Sequence, residues 1–297
     1  MARVDSEWPD VNGPAGFEWR ADPRAQQGLS AWRTGSGPDV VLVHGSVGDY
    51  RQWEPIAGEL RGEYRVTALS RRFHWPHASA PDASAYSYEA HRDDLLRYLR
   101  MCDGPVHLIG HSYGAGVALL AAIAAPALMH TMILIEPAFG SLLPDAAPGL
   151  HEELTSRNAM AASVRALAGS GEHAAATRRL IDWVQGSGGH FATLAHWVQS
   201  AMLENAITAG ATLARPAPEV TCADLQGCQV PALVVTGERT RLYYRLIASR
   251  TVACLANATA ASLPDAAHMT IVEQPAQAAA LLSSFLAAHA APRRAGA

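Results

Sequence analysis

The sequence predicts an α/β protein, a doubly wound, mostly parallel sheet of about eight strands with a helical cap inserted before the penultimate strand. Short apolar runs rich in β-branched residues end at glycine or proline, and helical patterns separate them. One long interval breaks that alternation without any strand-like run. Strands that alternate with helices pair in parallel, because each helix carries the chain back across the sheet.

The series opens with DVVLVHG (39–45), a buried strand running into glycine. A helix follows over about 53–60, and YRVTALS (64–70) is the next strand. Residues 86–100, YSYEAHRDDLLRYLR, place apolar groups at helical spacing with charges opposite, as an amphipathic crossover helix does. PVHLIG (105–110) is the third parallel strand, GAGVALLAAIAA (114–125) a helix of small residues, and TMILIEP (131–137) the fourth strand. VPALVVTGE (230–238) resumes the series, followed by a helix over 241–255, a short strand ATAASLP (258–264) and a closing helix over about 275–289. Ahead of the series, FEWRA and GLSAWRT form the antiparallel hairpin that opens such sheets, and the tail APRRAGA reads as disordered.

Between the fourth strand and VPALVVTGE the helical stretches carry Leu150, Leu154, Leu180, Trp183, Trp197 and Met202. An excursion of that length is too long for a loop. Residues 138–227 are therefore assigned to a helical cap, and 1–137 with 228–297 to the core domain.

Bulk properties narrow the partners. The chain has 297 residues, 49% of them hydrophobic, which is enough to bury a sizeable core. A net charge of −4 provides no basic field for nucleic acid or anionic lipid. The start MARVDSEWPD lacks the basic flank and apolar run of a secretory signal, and no apolar stretch reaches membrane-spanning length, so a cytoplasmic location is expected. Cys222 and Cys228 are close enough in sequence to bridge, but in that compartment all four cysteines are expected as reduced thiols. None has a metal-binding spacing. The expectation is a small-molecule substrate, no nucleic acid, no membrane, no metal or other cofactor, and a monomer or homodimer.

Gly110-His111-Ser112-Tyr113-Gly114 matches G-x-S-x-G at the junction of a strand and a helix. A serine at such a turn is held in strained backbone, and its neighbours two positions away must be small because the new helix passes close to the strand. The amide of Tyr113 then faces the space where an oxyanion forms. His111 is read as structural. A second motif, His44-Gly45-Ser46-Val47-Gly48 with Trp53 beyond, ends the first parallel strand, and a third, Pro264-Asp265-Ala266-Ala267-His268-Met269, follows the last strand, with Glu273-Gln274-Pro275 after it.

With these motifs the chain resembles the α/β-hydrolase superfamily, in the order of strands and motifs from about Val40 to the end. The second motif resembles its HG-x-x-G-x(4)-W loop, which implies the amide of Ser46 as the second oxyanion donor and an architectural His44. The third resembles the ending G-H-x(4–6)-E-x-P, with Ala267 in place of glycine, which implies His268 as the base that takes the Ser112 proton. Most members carry an acid in a G-x-x-D segment after the strand before the last. Here that segment is Gly237-Glu238-Arg239-Thr240, and Thr240 stands where the acid should be. Glu136, which closes TMILIEP, is the leading candidate for the acid, with Glu238, Asp265 or no acid as alternatives.

The loop Ser70-Arg71-Arg72-Phe73-His74-Trp75-Pro76-His77 admits two readings: an anion clamp, with Arg71 and His74 touching substrate, or an anchor of the fold. Trp183 and Trp197 of the cap are candidate substrate contacts. The implied activity is a serine hydrolase acting on an ester, lactone, thioester or related acyl bond of a small, partly hydrophobic substrate. A carboxylate nucleophile is absent, which sets aside dehalogenase and epoxide hydrolase chemistry. A non-hydrolytic cyclase, lyase or acyl transferase, and a ligand-binding protein on the same scaffold, stay open.

Overall fold

A computed structural model describes residues 19–25, 28–81, 85–186 and 188–290. The opening decapeptide, Phe17 and Glu18 of the first hairpin segment, and the tail APRRAGA lie outside them. In chain order the elements are β1 (Arg20–Ala21), β2 (Ser30–Thr34), β3 (Asp39–Val43), α1 (Glu54–Leu60), β4 (Arg65–Ser70), α2 (Tyr88–Leu99), β5 (Val106–His111), α3 (Tyr113–Ala124) and β6 (Met129–Ile135). The excursion then supplies α4 (Leu150–Gly169), α5 (His173–Val184), α6 (His196–Glu204), α7 (Ala209–Thr212) and α8 (Cys222–Gln226). The chain closes with β7 (Ala232–Gly237), α9 (Leu242–Cys254), β8 (Ala258–Leu263), α10 (Thr270–Glu273) and α11 (Pro275–Ala288).

The eight strands form one sheet in the order β1-β2-β4-β3-β5-β6-β7-β8. β1 pairs with β2 and β2 with β4 antiparallel, and every later pairing is parallel. β3, β5 and β6 lie at the centre, buried on both faces, which is why they read as continuous apolar runs rather than alternating ones. One apolar cluster on each face packs the helices down. Val40, Leu42, Ile109, Ile133 and Val235 meet Trp53, Ile56, Leu60 and Leu282 on one side. Val41, Leu108 and Leu134 meet Val117 and Leu95 on the other, and that cluster continues without a break into Met160, Val164, Leu180 and Trp183 of the excursion.

Polar contacts seat the excursion at the sheet's carboxyl edge. The Asn205 side-chain amide donates to Asp49 at 2.7 Å, while its carbonyl oxygen accepts from the Trp75 amide at 2.7 Å. Arg51 bridges Asp49 and Glu204. From the other side Arg241 grips both oxygens of Glu153 at 2.7 and 2.8 Å.

The cysteines depart from expectation. Cys222 is bonded not to Cys228 but to Cys254, and only Cys102 and Cys228 are free. The reason is tertiary: α8, capped by Thr221, packs along α9 and brings the two Cα atoms to 4.9 Å, a separation that a disulfide spans. No described helix is long and apolar enough to cross a membrane.

The passage of α3 behind β3 constrains its first turn. A Cβ on Gly114 meets the Val43 and His44 carbonyl oxygens at 2.2 and 2.5 Å, both backbone atoms that cannot swing aside. Gly114→Ala should therefore lower stability by about 1–3 kcal/mol, the usual cost of overpacking. Urea unfolding measures it, and an unchanged midpoint and slope count against so close an approach.

Candidate active site

The site grows out of the carboxyl ends of β3, β5, β6 and β8. The β5–β6 ladder runs on through Ser112, whose amide donates to Ile135 O at 2.8 Å, and α3 begins at the next residue. That abrupt change forces Ser112 to φ 54° and ψ −117°, backbone that side chains rarely adopt and that is kept only where the surroundings overdetermine it. A Cβ on Gly110 meets Gly114 O at 2.4 Å, so the glycines of G-x-S-x-G are required by the crossing of strand and helix.

The loop after β8 brings His268 over this turn. Its Nε2 lies 2.8 Å from Ser112 Oγ and its Nδ1 lies 3.0 Å from Glu136 Oε2. A carboxylate only accepts, so Nδ1 carries the proton and Nε2 is left to accept from the serine hydroxyl. Glu136 sits one residue beyond β6 at φ 51° and is fully buried. Besides His268, it accepts from the Gly237 amide at 2.7 Å and from the Thr240 hydroxyl at 2.6 Å. Burial raises the Glu136 pKa to about 7, against the pull of the Thr240 and Gly237 donors, and burial lowers that of His268. The other carboxylates weighed for this role are exposed: Glu238 accepts from the Asp265 amide, and Asp265 lies at the start of the same loop. Thr240 stands in the position read as vacant, and its hydroxyl supports the carboxylate that reaches the histidine.

Ser46 and Tyr113 line the same cavity as Ser112. The Tyr113 amide opens α3, where no preceding helical carbonyl is available to it. The Ser46 amide is aimed by its own peptide plane, since in a trans peptide N–H and C=O point in opposite directions. The Gly45 carbonyl is drawn into the protein by Arg71 at 2.9 Å and His44 Nδ1 at 2.8 Å, so the Ser46 N–H points outward. His44 Nε2 accepts from the Arg71 amide at 3.0 Å, which fixes its tautomer.

Of their two readings Arg71 and His74 follow the second, anchors of the fold that support this loop, and the substrate-contact alternative is corrected. Arg71 is buried, with its guanidinium carbon 4.4 Å from the Tyr113 ring centre and its nitrogens near Tyr86 and His91. His74 donates through Nδ1 to Gly48 O at 2.7 Å and accepts at Nε2 from Tyr86. Burial first, and then the charge of Arg71, hold His44, His74 and His91 well below the usual imidazole pKa, so the only charge in the cluster is the guanidinium. Arg72 is also structural, with both its contacts to Asp94 on α2 at 2.5 Å.

Ser112 and His268 open into a cavity of about 550 Å³ bounded by Ser46, Tyr113, Leu154, Met160 and Trp183 among others. Trp183 lines it, whereas Trp197 does not and packs half-buried against the apolar cluster under α6, a correction to its expected contact with substrate. Further residues support the pair, among them His111, which the sequence already marked as structural. His111 Nε2 donates to the His268 carbonyl at 2.9 Å, and its Nδ1 accepts from Gln52 at 3.1 Å. Gln185, immediately after α5, accepts from the Met269 amide at 2.9 Å and donates to Glu273, which in turn accepts from the Ala267 amide. The Tyr244 ring lies 4.0 Å from that of His268. Glu273 belongs to the E-x-P signature and was findable there; Gln52, Gln185 and Tyr244 carry no local signal, because distant segments bring them in.

A model of the alpha/beta hydrolase family matches residues 40–281. Among curated proteins, the uncharacterized hydrolase YraK of Bacillus subtilis is 36% identical over 110 residues, 37% of this chain and 41% of that protein. The 2-(acetamidomethylene)succinate hydrolase of Mesorhizobium japonicum is 29% identical over 111 residues, 36% of this chain and 38% of that protein. The matches thus span well under half the length of either relative. Of solved structures, an alpha/beta hydrolase from Sphaerobacter thermophilus superposes with a TM-score of 0.68 at 23% identity, covering 90% of this chain and all of that one. The carboxylesterase CesB of Bacillus subtilis gives 0.68 at 19% identity, covering 92% of this chain and 93% of that one. At these identities the two structures establish the fold.

A serine with a neutral imidazole at its hydroxyl should react with a fluorophosphonate probe. Labelling is expected at Ser112, absent in Ser112→Ala and at least about a hundredfold slower in His268→Ala, by loss of the base. Tryptic mapping of the adduct to any other residue, or equal labelling of the variants, would contradict the arrangement.

Proposed function

The chain belongs to the alpha/beta hydrolase family, and on that footing we propose that it is a serine hydrolase cleaving an ester, lactone, thioester or related acyl bond of a small, partly hydrophobic substrate. The observation that carries the reading is the continuous run of hydrogen bonds from Ser112 Oγ through His268 to Glu136. In this reading Ser112 attacks the acyl carbon while His268 Nε2 takes its proton, and the negative oxygen that forms is met by the amides of Ser46 and Tyr113. His268 then returns the proton to the leaving alcohol or thiol, leaving the acyl group on Ser112. Water enters, gives its proton to the same nitrogen, and releases the acid and the free serine. Glu136 holds the ring in the productive tautomer and balances the imidazolium.

Initial rates on short-chain p-nitrophenyl esters and lactones test the reading. Ser112→Ala should lower turnover by at least about a thousandfold, because nucleophile and base act as a unit. Retention of more than about a tenth of the activity would favour chemistry without an acyl-enzyme.

The pH profile follows from the buried pair. Glu136 and His268 take up their first proton together, going from net negative to net neutral. Burial favours the neutral pair, so the acid limb of kcat/KM should lie near 7, the value to which burial raises Glu136. Glu136→Gln removes the negative charge. It should cost about two to four orders of magnitude in turnover. The remaining limb should move below about 6.5, because an unpaired buried imidazole resists protonation. A limb that stays in place in the variant would mean that Glu136 does not share the titration.

A further inference from the structure

The wall of the cavity carries charge of one sign. Arg157, Arg165 and Arg215 line it, and among the described residues no aspartate or glutamate does. This is a chain whose net charge is −4, so the cavity runs against the character of the whole molecule. Arg157 is the inner one of the three, half-buried on α4, while Arg165 and Arg215 are exposed. Its guanidinium carbon lies 5.1 Å from the Tyr243 ring centre. Tyr243 in turn lies 5.1 Å from Tyr244, whose ring rests on His268. Arg157 is therefore linked through two tyrosine rings to the histidine of the site.

Among the described residues no carboxylate pairs with these groups. One turn before Arg157 on α4 stands Glu153, the position from which a helical carboxylate ordinarily pairs with an arginine. Both oxygens of Glu153 are taken by Arg241. Among the described residues no ion pair involves Arg157, Arg165 or Arg215, and Arg165 makes a single contact with the Leu213 carbonyl at 3.2 Å. A guanidinium drawn out of bulk water without a counterion is costly, and a ligand that brings the counterion offsets that cost with two parallel hydrogen bonds.

We propose that the substrate of the Ser112 site bears a carboxylate remote from the scissile acyl carbon, held by Arg157 and drawn in by Arg165 and Arg215 at the rim. One half-buried guanidinium matches one monoanionic carboxylate. Leu154, Met160, Leu180 and Val184 line the same cavity, so the proposed substrate carries an apolar portion beside its carboxylate. This deepens the hydrolase reading and rests on it.

Matched ester pairs test it: mono-p-nitrophenyl glutarate against p-nitrophenyl valerate, and 4-acetoxybenzoate against its methyl ester. At least one carboxylate should exceed its neutral partner in kcat/KM by about tenfold or more, mainly through KM. Arg157→Gln should erase that preference, and Arg165→Gln with Arg215→Gln should reduce it. Arg250→Gln, an exposed charge on α9 away from the cavity, should leave it intact. Hydrolysis of the neutral esters with no preference for the anions, or a preference that survives Arg157→Gln, overturns the proposal and leaves the hydrolase reading standing. If no ester is hydrolysed, that reading fails, and calorimetry with glutarate decides the carboxylate site. Binding lost in Arg157→Gln supports it, and no binding overturns it. Inorganic phosphate displacing glutarate at lower concentration would assign the guanidiniums to a phosphoryl group and also overturn it.

Discussion

The hydrogen bond between Glu136 and His268 ties the top of the molecule together because the carboxylate that makes it has no access to water. A buried carboxylate is tolerated only when its lone pairs are answered. Here the donors come from three places: the Gly237 amide at the end of β7, the Thr240 hydroxyl just beyond it, and the imidazole after β8. Burying one charge at the end of β6 thereby fixes the loops that follow the next two strands. Their positions fix where Nε2 meets the serine, whose strained backbone is held by the turn from β5 into α3.

A second constraint works from behind the loop that follows β3. The direction of the Ser46 amide is set through the carbonyl on the opposite side of the same peptide, which Arg71 and His44 pull inward. Because the surrounding histidines are neutral, the guanidinium leaves a net positive charge under the peptide, of the sign that favours an oxyanion above it. The excursion completes the frame rather than merely covering it. Gln185 holds the His268 loop, Asn205 and Arg51 hold the oxyanion side through Asp49, and Arg241 holds α4 to the start of α9.

The central strands were legible because burial on both faces writes itself as unbroken apolar runs, and the serine turn because a Cβ at either of its glycines would run into backbone. His268 was legible from its motif. The partner of Cys222 was not, since its bond joins residues 32 apart that meet only once α8 has docked on α9. Arg71 was ambiguous for a general reason: a guanidinium that holds a backbone carbonyl and one that holds an anionic substrate look alike in a loop sequence, and only the direction in which the side chain points separates them. Arg157 gave no signal at all, because an arginine one turn after a glutamate on a helix reads as an ordinary surface pair until Glu153 is seen to be engaged elsewhere.

The contact between Thr240 and Glu136 has an evolutionary consequence. The hydroxyl stands 2.6 Å from the carboxylate, so the place after β7 and the place after β6 open onto one shared volume beside the same imidazole. A lineage can therefore transfer its acid from one strand end to the other without rebuilding the sheet. The intermediate holding both carboxylates has to keep one of them protonated, as two like charges this close demand. A small hydroxyl beside a single acid, the arrangement this chain carries, avoids that shared proton.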